Sequence, residues 1–259
     1  ANLNSDNSFD YIGKSFDQEA ACVMIARLCV VKGQTEDKGD ILKWVDKTLI
    51  RLVSKFAKYQ KDNISSFKLP YQFNYFPQFI FYLRRSHFIL NFNASPDEIT
   101  NYKHALMHES VINATIMIQP VLFAYSPDKP DANPVFLEVD SMKTDCVLLL
   151  DAFFFVVVWH GEEVMRWRDD GIHLDPDYEN IKQMLESPVE YAQSIIAERI
   201  PVPRFVSCDS GTGQERLLKC VVNPSTSGGK SKVVEDGYVS DDVSLKVFMD
   251  YLIRIAVSS

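Results

Sequence analysis

The stretch VLLLDAFFFVVVWHGEEV, residues 147–164, contains the most apolar run of the chain, and Asp151 interrupts that run. The run ends at Trp159, well short of the roughly 20 apolar residues that a membrane-spanning helix needs. Short runs of β-branched and aromatic residues, separated by turn residues, are typical of β-strands. The stretch therefore predicts two consecutive strands.

The same rhythm extends outward through the second half of the chain. PVLFAYS and PVFLEV precede the stretch and also have strand character. Downstream, Asp175-Pro176 and Ser187-Pro188-Val189-Glu190 each predict the start of a helix. A last amphipathic helix carries Leu245, Phe248, Met249 and Leu252. We expect an α+β domain over residues 118–259, with helices packed on a small mixed sheet.

The first half of the chain has a helical pattern from Ser15 to about Ile116. Residues 20–31 are apolar on so many faces that only a central, buried helix would suit them. Ser95-Pro96-Asp97-Glu98 combines an N-cap, a proline at the first helical position and a capping-box glutamate. We expect an all-α helical domain over residues 15–117.

Composition sets limits on the class of protein. The chain has 259 residues, more than the usual 100 to 150 or so of one domain, which favours two domains. The net charge of −8 argues against a general nucleic-acid binder, whose affinity comes from neutralising phosphates. Five cysteines without a CxxC pair suggest neither a disulfide framework nor a zinc site, and favour a reducing compartment.

Each motif that would give this chain a phosphate-binding, metal or catalytic site of its own is incomplete. SGGKS resembles a phosphate-binding loop, but Pro224 stands where that motif needs its first glycine. His104 and His108 have the spacing of two metal ligands on a helix, without the glutamate of HExxH or an evident third ligand. His160 at a strand end suits a structural role better than a catalytic one. We therefore predict no metal site, no bound cofactor and no active site of the chain's own.

A second stretch, FVSCDSGTGQERLLKCVV, residues 205–222, predicts a hairpin: a strand, a turn built on Gly211 and Gly213, and a second strand opened by Arg216. Three explanations of this arginine are open from the residues alone. The segment is a phosphate-binding glycine loop, a plain hairpin, or a loop that presents Arg216 to another protein.

A series of motifs in order resembles one family. Residues 147–164 look like a gelsolin-type core hairpin. The other motifs are SFDQEAACVMIARL, YFPQFIFYLRRSHF, NASPDEITNYKHALM, IMIQPVLFAYS, PVEYAQSIIAERIPVPRFV, VVNPS and DDVSLKVFMDYL. Together they resemble the GTPase-activating subunit of the COPII inner coat, the Sec23 family, over residues 15–259.

The resemblance implies the last two modules of a longer protein. Residues 1–14 would be the tail of a β-sandwich, residues 15–117 a helical domain, and residues 118–259 a gelsolin-like domain that includes the last helix. Zinc would be expected only in the missing N-terminal part of the family, so this chain would hold no cofactor.

The resemblance also implies a role for Arg216. The family presents a Gln-Ala-Arg-Phe segment whose arginine enters the site of a small GTPase, and Gln214-Glu215-Arg216-Leu217 matches it at the glutamine and the arginine. Arg216 would then be an arginine finger acting in trans, with Gly211 and Gly213 as hinges of its loop. Because neighbouring residues of a strand face opposite sides, Glu215 is expected not to pair with Arg216.

The implied setting is a vesicle coat in transport from the endoplasmic reticulum to the Golgi. Expected partners are the coat's small GTPase, the other inner-coat subunit through missing domains, proline-rich segments of the outer coat, and the cytoplasmic face of the membrane at exit sites, with no nucleic acid. One alternative is a docking module without catalytic contribution, using Tyr125 or exposed aromatics among residues 153–155. Another is a gelsolin relative with a calcium cage around Asp151.

Overall fold

The computed structural model describes residues 13–89, 95–223 and 244–258, which form two compact units. The first unit contains the described residues up to Gln119 together with the last helix, and the second unit begins at Pro120. The expected β-sandwich tail, residues 1–14, lies outside the described residues except for residues 13 and 14, which have helical backbone. No helix in the described ranges is long and apolar enough to cross a membrane.

The first unit is mainly helical. Its elements are α1 (Gln18–Lys32), α2 (Lys38–Phe56), β1 (Lys58–Gln60), β2 (Asn63–Lys68), α3 (Phe76–Arg84), α4 (Pro96–His108), α5 (Val111–Ile118) and the last helix (Leu245–Ser258). The antiparallel pair β1–β2 is an addition that the helical pattern of the sequence did not predict.

Helix ends in this unit follow the sequence signals closely. Ser95 and Glu98 form the predicted capping box at the start of α4, with the Glu98 amide 3.2 Å from Ser95 Oγ and the Ser95 amide 2.7 Å from Glu98 Oε2. At the other end of α4, the Arg27 guanidinium donates to the carbonyl oxygens of Leu106 and Glu109, at 3.0 and 2.6 Å. These donors satisfy carbonyl groups that the helix itself leaves without partners.

Helix α1 is buried on one face only. Its inner face carries Cys22, Val23, Ala26 and Cys29, all buried. Its outer face carries large apolar side chains that remain exposed: Met24 at 61%, Leu28 at 43% and Val31 at 49%. The prediction of a helix buried on all sides is therefore wrong for α1.

The last helix packs in the first unit, whereas the sequence placed it in the second domain. It buries Phe248, Leu252 and Ala256. The Phe248 ring lies 5.3 Å from the Phe81 ring of α3, and the Arg84 guanidinium lies 5.6 Å from the Phe248 ring. The amphipathic pattern was recognised correctly, but it does not say which core the apolar face will cover.

The second unit is built on one mixed sheet. Its strands are β3 (Val121–Ser126), β4 (Lys129–Val135), β5 (Val147–Asp151), β6 (Phe155–His160) and β7 (Arg204–Asp209), in the spatial order β4-β3-β5-β6-β7. The pair β6–β7 is parallel and the other neighbours are antiparallel. The helices are α6 (Glu162–Asp169), α7 (Glu179–Glu198) and α8 (Arg216–Lys219). The predicted α+β class, a helical part followed by a small mixed sheet with helices, is confirmed.

The stretch that opened the sequence analysis forms the centre of this sheet. Every residue of β5 is buried, as is every residue of β6 after Phe155, so both predicted strands are confirmed. Gly161 follows β6 because a Cβ at this position would lie 2.3 Å from the Thr144 carbonyl oxygen. One face of the sheet packs against α6 and α7 through Tyr125, Val147, Leu149, Val156, Val158, Val164, Met184 and Ala192.

Helix α7 replaces two predicted helices. Pro176 begins a single 3₁₀ turn, Pro176–Tyr178, and Pro188 lies inside the continuous 20-residue α7. A proline inside a helix removes one backbone hydrogen bond and disfavours the turn before it. Here Met184 and Ala192, on either side of Pro188, are buried against the sheet, and this packing keeps the helix continuous.

A buried ion pair joins the end of β5 to the end of α7. The Arg199 guanidinium binds both carboxylate oxygens of Asp151, with Nη2 2.8 Å from Oδ2, and the two side chains are 10% and 7% exposed. The Phe153 amide donates to Asp151 Oδ1 at 3.0 Å. The carboxylate is thus occupied by donors, which excludes the calcium cage considered for Asp151. Within the described ranges, no group of three or more His, Cys, Asp or Glu residues is placed to hold a metal.

We predict that Asp151→Leu alone destabilises the second unit by about 3–5 kcal/mol, because it leaves the Arg199 cation buried without a counter-charge. The double variant Asp151→Leu/Arg199→Met removes both charges and should recover most of that loss. Urea unfolding, monitored by hydrogen exchange of the amides of residues 147–160, measures the stability of this unit alone. A single variant no less stable than the double would show that the pair has no such role.

Candidate functional site

The predicted hairpin is instead a strand, a loop and a short helix. Strand β7 lies at the edge of the sheet, and a 3₁₀ turn (Gly213–Glu215) leads directly into α8. We call residues 210–220 the arginine loop. Glu215 and Leu218 are both buried, and residues three apart share a face in a helix but lie on opposite faces of a strand. The helical turn, where the sequence predicted a strand, places both side chains on the buried side.

Arg216 is exposed at the first position of α8. Its side chain makes no hydrogen bond or ion pair with any residue that the structure describes. The neighbouring Glu215 turns inward and forms its ion pair with Lys219 rather than with Arg216. The separation of the two side chains comes from the helical turn, not from the strand alternation on which the sequence argument relied.

Glu215 is a buried carboxylate with three donors. It is 5% exposed and accepts hydrogen bonds from Trp159 Nε1 at 3.1 Å, the Gly211 amide at 3.2 Å and Lys219 Nζ at 2.7 Å. Burial alone would raise the pKa of Glu215, but the bonds from Lys219, Gly211 and Trp159 outweigh it and hold the pKa below its ordinary value. The group is therefore an ionised carboxylate that joins β6, the loop and α8.

The two glycines of the loop differ in their conformational demands. Gly211 has φ = +81°, a conformation that disfavours residues with a Cβ. Gly213 has no positive φ, begins the 3₁₀ turn, and has no atom within 4 Å of where its Cβ would stand. The backbone thus requires glycine at position 211 but not at position 213, and the hinge role of both glycines stays a prediction.

A cluster of polar side chains lies at the base of the arginine loop. Asp209, the last residue of β7, lies 3.0 and 2.9 Å from the two terminal nitrogens of Arg168 in α6, and 3.1 Å from His160 Nδ1 at the end of β6. Hydrogen bonds from Arg168 lower the pKa of Asp209, and burial lowers the pKa of His160. The Ser210 amide donates to the His160 carbonyl at 2.9 Å, which extends the pairing of the sheet into the loop.

Sequence reasoning found only part of this cluster. His160 was assigned a structural role, whereas Asp209 and Arg168 were not identified. Forty-one residues separate Arg168 from Asp209, and no local spacing rule connects them. The parallel pairing of β6 with β7 places Asp209 beside His160, and Arg168 reaches it from α6, which follows β6.

The second unit should lose stability as the pH falls from 7 towards 5.5. His160 has a lowered pKa in the folded state, so below about 6.5 the unfolded chain binds a proton that the folded chain resists. Arg168 opposes protonation of His160, and Asp209 favours it. Because the pKa of Asp209 is lowered, the stability that Asp209 contributes is lost only below about pH 4, outside this pH range.

The variant His160→Asn should show a smaller decrease of unfolding free energy over this pH range, with the difference at most about 1.4 kcal/mol per pH unit. Urea unfolding at several pH values, followed by hydrogen exchange in β6, measures it. The other histidines are present in both proteins and cancel in the difference. Parallel pH profiles would show that His160 is not the titrating group.

The aromatic residues considered for peptide binding are mostly internal. Tyr125 is 1% exposed and Phe153 is fully buried, so neither offers a surface. Large apolar side chains are exposed instead around the start of β7: Ile200 at 82%, Val202 at 71% and Phe205 at 41%. These three residues form what we call the β7 apolar surface.

The fold is a helical unit with a second unit of a mixed sheet and covering helices, and comparison with known proteins defines its class. The human COPII-coat protein Sec24c has a similar fold, with a TM-score of 0.69 over 93% of this chain. Sequence identity to it is 12%, so the similarity concerns the fold alone. The chain corresponds to 32% of the length of that structure.

Residues 17–116 match the Sec23/Sec24 helical domain family. This range covers α1 to α5 apart from the last two residues of α5. The first unit therefore contains a Sec23/Sec24 helical domain.

Proposed function

We propose that this chain is part of a COPII coat subunit that supplies Arg216 in trans to the coat's small GTPase. The match of residues 17–116 to the Sec23/Sec24 helical domain supports the coat assignment. The single observation that carries the catalytic part is an exposed guanidinium at the start of α8, on a loop whose adjacent residue is anchored in the interior.

Arg216 would act by electrostatic stabilisation of the transition state. A guanidinium is always charged and presents a planar set of donors, which can stabilise the charge that develops on the phosphoryl oxygens during GTP hydrolysis. An arginine supplied in trans accelerates such reactions about 10³- to 10⁵-fold, or ~4–7 kcal/mol of transition-state stabilisation. It needs no nucleophile, metal or cofactor on this chain, so the chain would be an activator and not an enzyme with its own site.

The implied location is the cytoplasmic face of membranes at exit sites of the endoplasmic reticulum and on COPII vesicles. The other inner-coat subunit and proline-rich segments of the outer coat would be further partners. These assignments follow from the match of residues 17–116 and from the resemblance.

Arg216→Ala should lower the stimulated rate of GTP hydrolysis by about 10³-fold or more, while leaving the affinity for the GTP-loaded GTPase nearly unchanged. Arg216→Lys should recover only part of the rate, because an ammonium lacks the planar fork of donors. Single-turnover hydrolysis with saturating chain, and a binding assay with the GTP-loaded GTPase, measure the two quantities.

Arg204→Ala is the matched control, since Arg204 is an exposed arginine of the same unit, located in β7. It should leave hydrolysis unchanged. Equal rates for the Arg216→Ala and the parent proteins, at saturating concentrations of a chain that does stimulate, would refute the arginine-finger proposal.

A docking module without catalytic contribution is the second candidate. The observation that favours it is the β7 apolar surface, since large apolar side chains exposed together indicate a site of protein contact. The fold of this chain is also that of a coat protein, and a coat role requires docking but no arginine. The partner would be a proline-rich segment, whose extended helix suits apolar surfaces of this kind.

Under this second proposal, Val202→Asp/Phe205→Asp should weaken binding of a proline-rich outer-coat peptide at least about tenfold and leave GTP hydrolysis unchanged. The control is Leu174→Asp, because Leu174 is an apolar residue that is 77% exposed. Leu174 precedes α7 and Val202 follows it, so a helix roughly 30 Å long separates the control from the β7 apolar surface. Fluorescence anisotropy with a labelled peptide gives the affinities. Equal affinity of the double variant and the control would exclude this surface.

A further inference from the structure

We propose that Glu215 is the positioning residue for Arg216, and that its bonds to Trp159, Gly211 and Lys219 set the arginine loop in its working conformation before a partner binds. This inference rests on the proposed function of Arg216. It assigns to this chain a pre-formed loop rather than one that orders on contact with the GTPase.

The three bonds connect three different parts of the unit. Trp159 belongs to β6 and is 3% exposed, so its indole N–H is a fixed point of the core. The Gly211 amide belongs to the sharp bend of the loop, where φ is positive. Lys219 is the last residue of α8. One carboxylate thus ties the core, the bend and the helix together.

Because of the position of Glu215 in the chain, its contacts also fix the direction of the Arg216 side chain. Glu215 immediately precedes Arg216, and both have helical backbone angles. When the Glu215 side chain is held inward by the core, the next Cα–Cβ bond points about 100° around the helix axis from it. The exposure of Arg216 therefore follows from the burial of Glu215.

The three bonds differ in importance. Lys219 is 58% exposed, so solvent screens its ion pair and its loss should matter little. Trp159 Nε1 donates to the ionised carboxylate in a buried bond, and the Gly211 amide donates to it in a partly buried one. Bonds to an ionised acceptor are stronger than those between neutral groups. The bonds to Trp159 and Gly211 are thus the principal contacts that hold the loop.

Pre-formation bears directly on an arginine that acts in trans. Electrostatic stabilisation of a transition state depends on donors that are already oriented, and small misplacements reduce it strongly. A loop that had to become ordered on binding would lose conformational entropy at that step. The segment that Gln214-Glu215-Arg216-Leu217 resembles has a small residue where Glu215 stands, and a small side chain could not make these bonds.

The test uses Glu215→Gln, which keeps size and shape but removes the charge and places an NH₂ group beside donors. We expect the maximal stimulated rate of GTP hydrolysis to fall about 10²-fold, with the affinity for the GTPase unchanged. Trp159→Phe, which removes one donor, should change the rate in the same direction by less. Lys219→Met is the control and should have almost no effect.

A second measurement separates positioning from a general effect on folding. In Glu215→Leu/Trp159→Phe both polar partners become apolar, so the free energy of unfolding should return towards the parent value. Stimulation should stay low, because the Gly211 amide still lacks its acceptor. Hydrogen exchange at Gly211 and Thr212 should be faster in Glu215→Gln, with protection in β6 unchanged.

The outcomes distinguish this inference from the proposed function. If Arg216→Ala abolishes stimulation and both Glu215→Gln and Trp159→Phe keep the full rate, the positioning role is wrong and the arginine finger stands. If the double variant regains both stability and stimulation, Glu215 serves the fold alone. If Arg216→Ala has no effect, the proposed function itself fails, whatever the Glu215 variants do.

Discussion

A carboxylate removed from water needs hydrogen-bond donors around it, and this requirement sets the connections of the second unit. Asp151 lies at one end of the buried strand pair β5–β6, and Arg199 at the end of α7 neutralises it. At the opposite end, Asp209 beside His160 is bound by Arg168 of α6. Both helices that cover the sheet are thereby fixed to it by ion pairs. Glu215 repeats the arrangement on a smaller scale and joins the arginine loop to the same strands.

Local sequence signals predicted the elements whose causes are local. The strands within residues 147–164 and the capping box at Ser95 needed only neighbouring residues to be recognised. The segment from Arg216 was assigned to a strand because LLKCVV, residues 217–222, is apolar enough for either structure. The helical turn is decided by Glu215, whose donor Trp159 lies 56 residues away. The placement of the last helix failed for the same reason, since its partners in α3 are distant in the chain.

The fold and the proposed site carry different kinds of support. Residues 17–116 match the Sec23/Sec24 helical domain, and the similarity to a coat protein at 12% identity supports the fold over 93% of the chain. A shared fold does not by itself transfer a function, which depends on particular side chains. In the proposed function those side chains are an exposed arginine and the buried glutamate beside it. An arginine that acts in the site of another protein has to be exposed, as Arg216 is.

The return of the last helix to the first unit has a consequence for the order of folding during synthesis on the ribosome. The second unit is one continuous segment that begins at Pro120, so all of it is translated before Leu245–Ser258. Until then the first unit lacks the Phe248 side chain that covers Phe81 and Arg84. Domains generally fold in the order in which they are translated, but here the part translated first is completed last. Its unfinished core has to be protected from aggregation while more than a hundred further residues, all of the second unit among them, are added.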